Sequence, residues 1–213
     1  KLRLGYYFYD LNAKINHKFS NRSRLYLSAY MGKDRFYMKL KEDNDKMDTE
    51  LWWGNITGSL RWNYMINQKL FLNTTVTASR YKMLIGESSE YESYDYQGNE
   101  PERINFSINY NSGIYDYAAK ADFDYFLNTN HTIKFGASET YHTYNPGVFS
   151  SLYTETNNAE SKMEFGNNKI FAHELGVYAE DDMKIGNILK INAGLHWSGF
   201  SLKKVFYNAL EPR

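Results

Sequence analysis

The chain has 213 residues, with 25 basic and 25 acidic side chains and no net charge, so no global field draws it to nucleic acid. Cysteine is absent, which excludes a disulfide framework and a thiolate metal site. Tyrosine (20) and phenylalanine (13) are abundant, proline is scarce at three, and mean hydropathy is −0.66. No apolar run approaches the ~20 residues of a membrane helix, a test that a membrane barrel escapes because every second residue faces inward.

Period two dominates and no sustained 3.6-residue pattern appears, so the sequence predicts an all-β chain. The first strand is predicted over 7–19: Tyr7, Tyr9, Leu11, Ala13, Ile15 and Phe19 share one parity, and Asp10, Asn12, Lys14, Asn16 and Lys18 take the other. "SNRS" at 20–23 is a turn of small polar residues. The second strand, 24–37, sets Leu25, Leu27, Ala29 and Met31 against Tyr26, Ser28, Tyr30 and Gly32. A charged stretch over 39–50 reads as a long loop. A hairpin over 54–81 follows, turning at Asn67-Gln68-Lys69, with Leu60, Trp62, Leu70, Leu72 and Val76 on the apolar parity and Arg61, Asn63, Asn73, Thr75 and Thr77 on the polar one.

A second long polar stretch runs over 82–113 and holds six acids between Glu87 and Glu102, with the alternating "INFSINYN" at 104–111 as a short hairpin arm or an extended strand end. The fifth and sixth strands are predicted over 114–127 and 131–144, joined at "NTN". A third polar stretch fills 145–169. The seventh and eighth strands, 170–183 and 188–198, are joined by "KIGN", and a ninth begins at "FYNALEPR". Four tight turns (near 21, 68, 129 and 186) therefore alternate with long connections.

Strands of about 11–14 residues exceed the ~5–6 typical of soluble sheets and suit a tilted bilayer crossing of ~9–11 residues. Short turns at one end with long loops at the other, and aromatics near strand ends, suit an outer-membrane barrel. The expected fold is an antiparallel up-and-down meander of long strands, part of a transmembrane β-barrel. Leu11, Ile15, Leu27, Leu72, Val76, Phe135, Val177 and Ile191 are expected on its lipid face.

Three stretches carry a resemblance to a known family. "HTIKFGASETYHTYNPG" (131–147), "HELGVYAEDDMKIGNILKINAGLHWSGF" (173–200) and "YNALEPR" (207–213) resemble the barrel of TonB-dependent outer-membrane receptors, most strongly over 128–213. The resemblance implies a barrel of about 22 strands with an N-terminal plug. It also implies energisation by the inner-membrane TonB complex through a short box ahead of the plug. Neither plug, TonB box nor signal peptide is recognisable here, so residues 1–213 are read as one segment of a larger receptor barrel whose own strands do not close a ring. Its partners would be outer-membrane lipid, the plug and remaining strands of the same protein, the TonB complex and a small nutrient ligand (an iron chelate, haem, cobalamin or a glycan). The alternative is a complete small outer-membrane barrel or surface adhesin that transports nothing.

No enzyme signature is present, and the five histidines lack a metal spacing such as H-E-x-x-H, so no cofactor is expected. Trp52 and Trp53 at one loop base, with Tyr91, Tyr94 and Tyr96 in the acidic stretch, are candidates for gripping a sugar or chelate, because aromatic faces stack on flat apolar surfaces at little entropic cost. His142 and Tyr144 share the lumen parity near the outer rim and are candidate haem or iron-chelate contacts; His196 has the same parity. The plainer reading of each histidine is a wall residue bonded to a neighbouring strand or the plug. The pairs Asp122/Asp124 and Asp181/Asp182 read as wall or turn carboxylates.

Overall fold

The structure is a computed structural model that describes residues 1–93, 102–155, 160–166, 169–186 and 188–203. These form one antiparallel sheet of nine strands: β1 (Leu2–Ser20), β2 (Ser23–Glu42), β3 (Asp45–Met65), β4 (Leu70–Ser93), β5 (Glu102–Phe126), β6 (His131–Glu155), β7 (Glu160–Phe165), β8 (Ile170–Ile185) and β9 (Leu189–Leu202). Each strand pairs with the next in the chain, except that β7 is a short branch on the upper part of β6 and β8 pairs with the lower part. Among the described residues β1 pairs only with β2 and β9 only with β8, so the sheet is open. The ninth strand anticipated at 206–213 lies outside the described residues, and β9 is instead the strand that the sequence numbers eighth.

The tight turns stand where small polar residues placed them, and two share one device. Asn67 Oδ1 accepts from the backbone N–H of Lys69 (2.8 Å) and Leu70 (3.0 Å). Asn128 Oδ1 accepts in the same way from Asn130 (2.8 Å) and His131 (3.0 Å). An asparagine side chain thus replaces a backbone acceptor and closes the reversal.

The long connections are a correction. The stretches expected as loops at 39–50, 82–113 and 145–169 are mostly strand: β2 and β3 meet through Asp43 and Asn44 alone, and β4, β5 and β6 run 24, 25 and 25 residues. Asp43 holds φ +47°, a left-handed conformation that aspartate tolerates. Near the top of β6 the register slips opposite Asn111 and Gly113, where Asn145 and Val148 span one extra residue. Gly147 sits in this bulge at φ +146°, and an added Cβ would meet the Tyr110 ring at 2.4 Å, so this bend demands glycine.

The sheet has two unlike faces and no interior. Leu11, Ile15, Leu27, Leu72, Val76, Phe135, Val177 and Ile191 do lie on one side, as the cross-strand registers show. This side is open: Leu60 is 43% exposed, Val76 52% and Val177 47%. On the other side Ser59, Thr75, Thr77, Ser138 and Thr140 are half-buried by their neighbours, as on a concave surface. Among the described residues Ala172 is the sole buried apolar side chain, so folding draws nothing from a protein core. Burying one Leu, Ile or Phe contributes about 1.5–3 kcal/mol, and this sheet leaves a whole face of them to be covered from outside.

Aromatic residues close this outward apolar band at both limits. At the turn end Trp62 lies 5.1 Å from Tyr64 and donates to Ser23 Oγ (3.0 Å), and Phe123 stacks on Phe135 at 4.9 Å. At the other limit Tyr7, Trp52, Tyr115, Tyr117 and Tyr141 share the outward face. Such girdles mark the two interfaces of a membrane barrel.

Candidate functional site

The concave face falls into three zones along the strands. The zone nearest the tight turns is a charge ladder. Lys134 Nζ lies 2.7 Å from Asp182 and 3.4 Å from Glu180, Lys120 Nζ is 3.0 Å from Asp122, and Tyr178 donates to Asp122 at 2.7 Å. Asp122 and Asp124 therefore belong to the inner wall. Asp181 and Asp182, as sequence neighbours on a strand, point to opposite faces, Asp182 to this ladder and Asp181 outward to His131 at 2.7 Å. Lys120 and Asp122 of the ladder, with Arg61, Asn73, Thr75, Thr77, Ser138 and Thr140, help line a cavity of about 500 Å³.

The middle zone centres on His142. Its Nδ1 lies 2.8 Å from Asp116 Oδ1 and its Nε2 3.4 Å from Glu174 Oε2, while its ring stacks on Tyr144 at 5.4 Å. The histidine side chain is 13% exposed. Each ring nitrogen thus faces a carboxylate, the closer being Asp116, and these contacts orient the ring. Among the described residues no group of three or more His, Asp or Glu side chains is placed to hold a metal ion. His196 lies lower on the same face, opposite Tyr178, and is exposed. His173, on the outward face, bonds Glu139 at 2.9 Å.

The third zone inverts the rule of the other two. Beyond the level of Phe8, Asp34, Trp53, Met83 and Ser112, the concave face turns mainly apolar, with Thr49, Glu87 and Ser89 as polar members, and the convex face turns polar. One cross-strand row runs Tyr6–Phe36–Leu51–Ile85–Tyr110–Phe149–Phe165 across seven strands. Leu2, Leu4, Met38, Leu40, Met47, Ile104, Phe106, Ile108, Tyr153 and Met163 extend it upward. Behind them the convex side carries Lys39–Asp48 (2.8 Å), Lys46–Glu90 (3.0 Å) and the Arg35–Glu50 pair. Ile85 is 46% exposed and Phe165 56%. A tall, water-backed sheet thus holds an apolar, aromatic-rich inner surface at its mouth.

The sequence candidates distribute unevenly over this surface. Trp53 faces the mouth at the foot of the apolar zone, whereas Trp52 faces outward with Lys33 Nζ 4.3 Å over its ring. Tyr91 sits high on β4 on the inner parity, opposite Ile104. Tyr94 and Tyr96 lie outside the described residues. His142 and Tyr144 come together, and His196 stands apart from them. The sequence reading missed Tyr6, Phe36, Tyr110, Phe149 and Tyr153. Alternation in 104–111 was the available signal, since Ile104, Phe106, Ile108 and Tyr110 share one parity.

Fold and faces together define an up-and-down wall of the outer-membrane β-barrel type. No protein-family model and no curated sequence matches the chain. Among solved structures it is similar to the ferric yersiniabactin uptake receptor FyuA from Yersinia pestis, with 8% identity and a TM-score of 0.38 over 92% of this chain and 36% of that one. It is similar also to the outer-membrane transporter YddB from Escherichia coli, with 7% identity and TM-score 0.33 over 92% and 34%. The ferric preacinetobactin receptor BauA from Acinetobacter baumannii gives 6% identity and TM-score 0.31 over 94% and 44%. The chain spans about a third of the length of the first of these structures.

Proposed function

We propose that the chain is a wall segment of a TonB-dependent outer-membrane receptor that takes up a scarce nutrient. Strands β1–β9 supply lipid-facing wall, a polar lumen and one side of the ligand-capturing mouth. The observation that carries this reading is the polarity inversion. A structural anchor needs an apolar belt and water-compatible projections, and gains nothing from aromatic residues turned inward beyond the membrane. A capture surface needs them there, because burying a ligand's apolar area supplies affinity that polar groups then direct. The open edges of β1 and β9 agree with a segment of a larger barrel, since unpaired strand edges do not stand in hydrocarbon. The plug, the TonB complex and the nutrient are the partners this reading requires, and it assigns the chain no covalent chemistry and no cofactor.

The test uses the full-length protein in intact cells supplied with candidate iron chelates, haem, cobalamin or glycans. Uptake is expected to stop when the inner-membrane proton gradient is collapsed, while surface binding persists. Trp53→Ala and Tyr110→Ala are each expected to weaken surface binding by roughly tenfold or more, as loss of a well-packed aromatic anchor does. Trp52→Ala, on the outward face, is expected to leave it unchanged. Uptake that continues without the gradient would point to a passive pore, and binding indifferent to Trp53 and Tyr110 would remove the mouth from the mechanism.

A further inference from the structure

The outward face carries a second feature that nutrient capture does not use. In the three cross-strand rows at the upper limit of the apolar band, from Leu11 to Tyr7 on β1, the outward side chains of β2 and β4 include Lys33, Arg35, Arg80 and Lys82. No carboxylate stands in these rows: the nearest outward acids are Glu50 one row above and Glu139 two rows below. In a chain with equal numbers of acids and bases this is a local excess of positive charge. Elsewhere on the sheet several cations are matched, as in Lys39–Asp48, Lys46–Glu90 and Lys134–Asp182. Here Arg35 is held by Glu50 and Lys33 lies over Trp52, but Arg80 and Lys82 have no ion-pair or hydrogen-bond partner among the described residues.

Gly54 and Gly113 flank Lys82 in its row, so the outward face has a saddle without side chains on either side of it. Long cationic side chains at an apolar boundary reach into the interface, where the phosphates of lipid headgroups attract them. We propose that Lys33, Arg80 and Lys82 form a binding site for the phosphate of a phosphorylated glycolipid headgroup in the outer leaflet. This rests on the reading of the outward face as membrane-embedded. The apolar band directly beneath the cations commits the site to a lipid: acyl chains lie along Ile56, Met31 and Ala78 while the headgroup reaches the saddle.

The test titrates the full-length protein, held in phosphatidylcholine nanodiscs, with diphosphoryl lipid A and with the same lipid stripped of phosphate. Wild type is expected to retain the diphosphoryl form selectively, counted by native mass spectrometry. The double variant Arg80→Gln/Lys82→Gln is expected to need roughly thirtyfold more of it, at roughly fivefold per cation near an anionic surface. The charge-retaining Arg80→Lys/Lys82→Arg should restore retention, and Lys162→Gln, above the belt, should not alter it. Equal retention of the dephosphorylated lipid, or a double variant that titrates like wild type, overturns the proposal. So does displacement of the lipid by inorganic phosphate at the lipid's own half-saturating concentration, which would mark a free-anion site. Protein that enters nanodiscs normally and fails these tests sinks the headgroup site alone, whereas failure to enter a bilayer sinks the membrane reading beneath it.

Discussion

Neighbouring residues on these strands have opposite fates, and Val76 and Thr75 state the contrast most simply. Val76 lies in the lower part of β4, midway up the apolar band of the convex face, between Leu60 and Ala119 in its row and 52% exposed. Thr75 points into the lumen cavity with Arg61 and Lys120 on either side. An arginine on the lipid face near the midplane costs about 2–4 kcal/mol, while lumen substitutions are mild. Val76→Arg is therefore expected to lower the folding stability of the full-length protein in vesicles by that amount, with Thr75→Arg, Thr57→Arg and Thr132→Arg close to wild type in denaturant titrations. Equal losses at all four sites would mean the faces are misassigned. This contrast was legible in the sequence, because period two alone separates 75 from 76. It also separates Trp52 from Trp53, so only one of that pair could ever face a ligand. The bond from His142 to Asp116 was not legible. It depends on the register between β5 and β6, which two alternating segments do not fix without knowing where the turn begins.

At the scale of the strand, the missed feature has one cause. Above the membrane level the alternation continues but its polarity changes sign: on β1 the even positions run Leu2, Leu4, Tyr6, Phe8 and then Asp10, Asn12, Lys14. A reading that equates charge with loop stops the strand where the solvent changes sides. Lys39, Lys41, Lys46, Asp48, Glu50, Glu90 and Glu92 belong to the water-facing side of extended strands, where several pair across the ladder, while Glu87 stands on the inner parity beside Thr49 and Ile108. Lys46 and Glu90 face each other directly, with Arg103 3.3 Å from the same carboxylate. The hydrogen bond from Lys46 holds the Glu90 carboxyl below its ordinary 4.5. A depressed carboxylate contributes stability that is complete above its unfolded value and is lost as pH falls through the folded one. The tips of β3 and β4 are thus expected to keep their amide protection from neutral pH down to the ordinary carboxylate range and to loosen below it. Lys46→Gln should loosen them at neutral pH and shrink the acid-dependent step, leaving the part that Arg103 and Lys41 supply. The check is amide exchange of residues 46–50 and 86–90, corrected for intrinsic rates. A difference between variant and wild type that persists unchanged at low pH would show that the pair is not its source. Glu90 is half-buried at the strand tips and remains in reach of solvent, so the effect stays local to them.

For the whole molecule, the sheet is a surface with two faces and two edges, and each must be covered by something. Lipid suits the convex apolar band, and water suits the ladder of charges and the convex side above the membrane. The edges have no such solution. Along β1 and β9 alternate residues direct both N–H and C=O away from the sheet, and at membrane depth each unmet group costs several kcal/mol. β1 and β9 pair with nothing on their free sides among the described residues, and β1 is exposed almost throughout. Curling nine strands into a closed ring would pair both edges, but it would also narrow the lumen. The concave face carries Arg61, Lys120, Lys134 and Tyr178 at turn level, and Tyr6, Phe36, Tyr110 and Phe149 at the mouth, all bulky. A small barrel has room inside only for side chains that fill it tightly, whereas a ring of about 22 strands holds a plugged lumen. The 213-residue chain produced by itself and refolded into phosphatidylcholine vesicles is therefore expected to remain open to protease and to show no heat-modifiable migration on gels. The full-length protein should resist protease and migrate as a folded barrel until boiled. Should the isolated chain form a monomeric, protease-resistant barrel, β1 and β9 have found each other, and the wall-segment reading gives way to a complete small barrel.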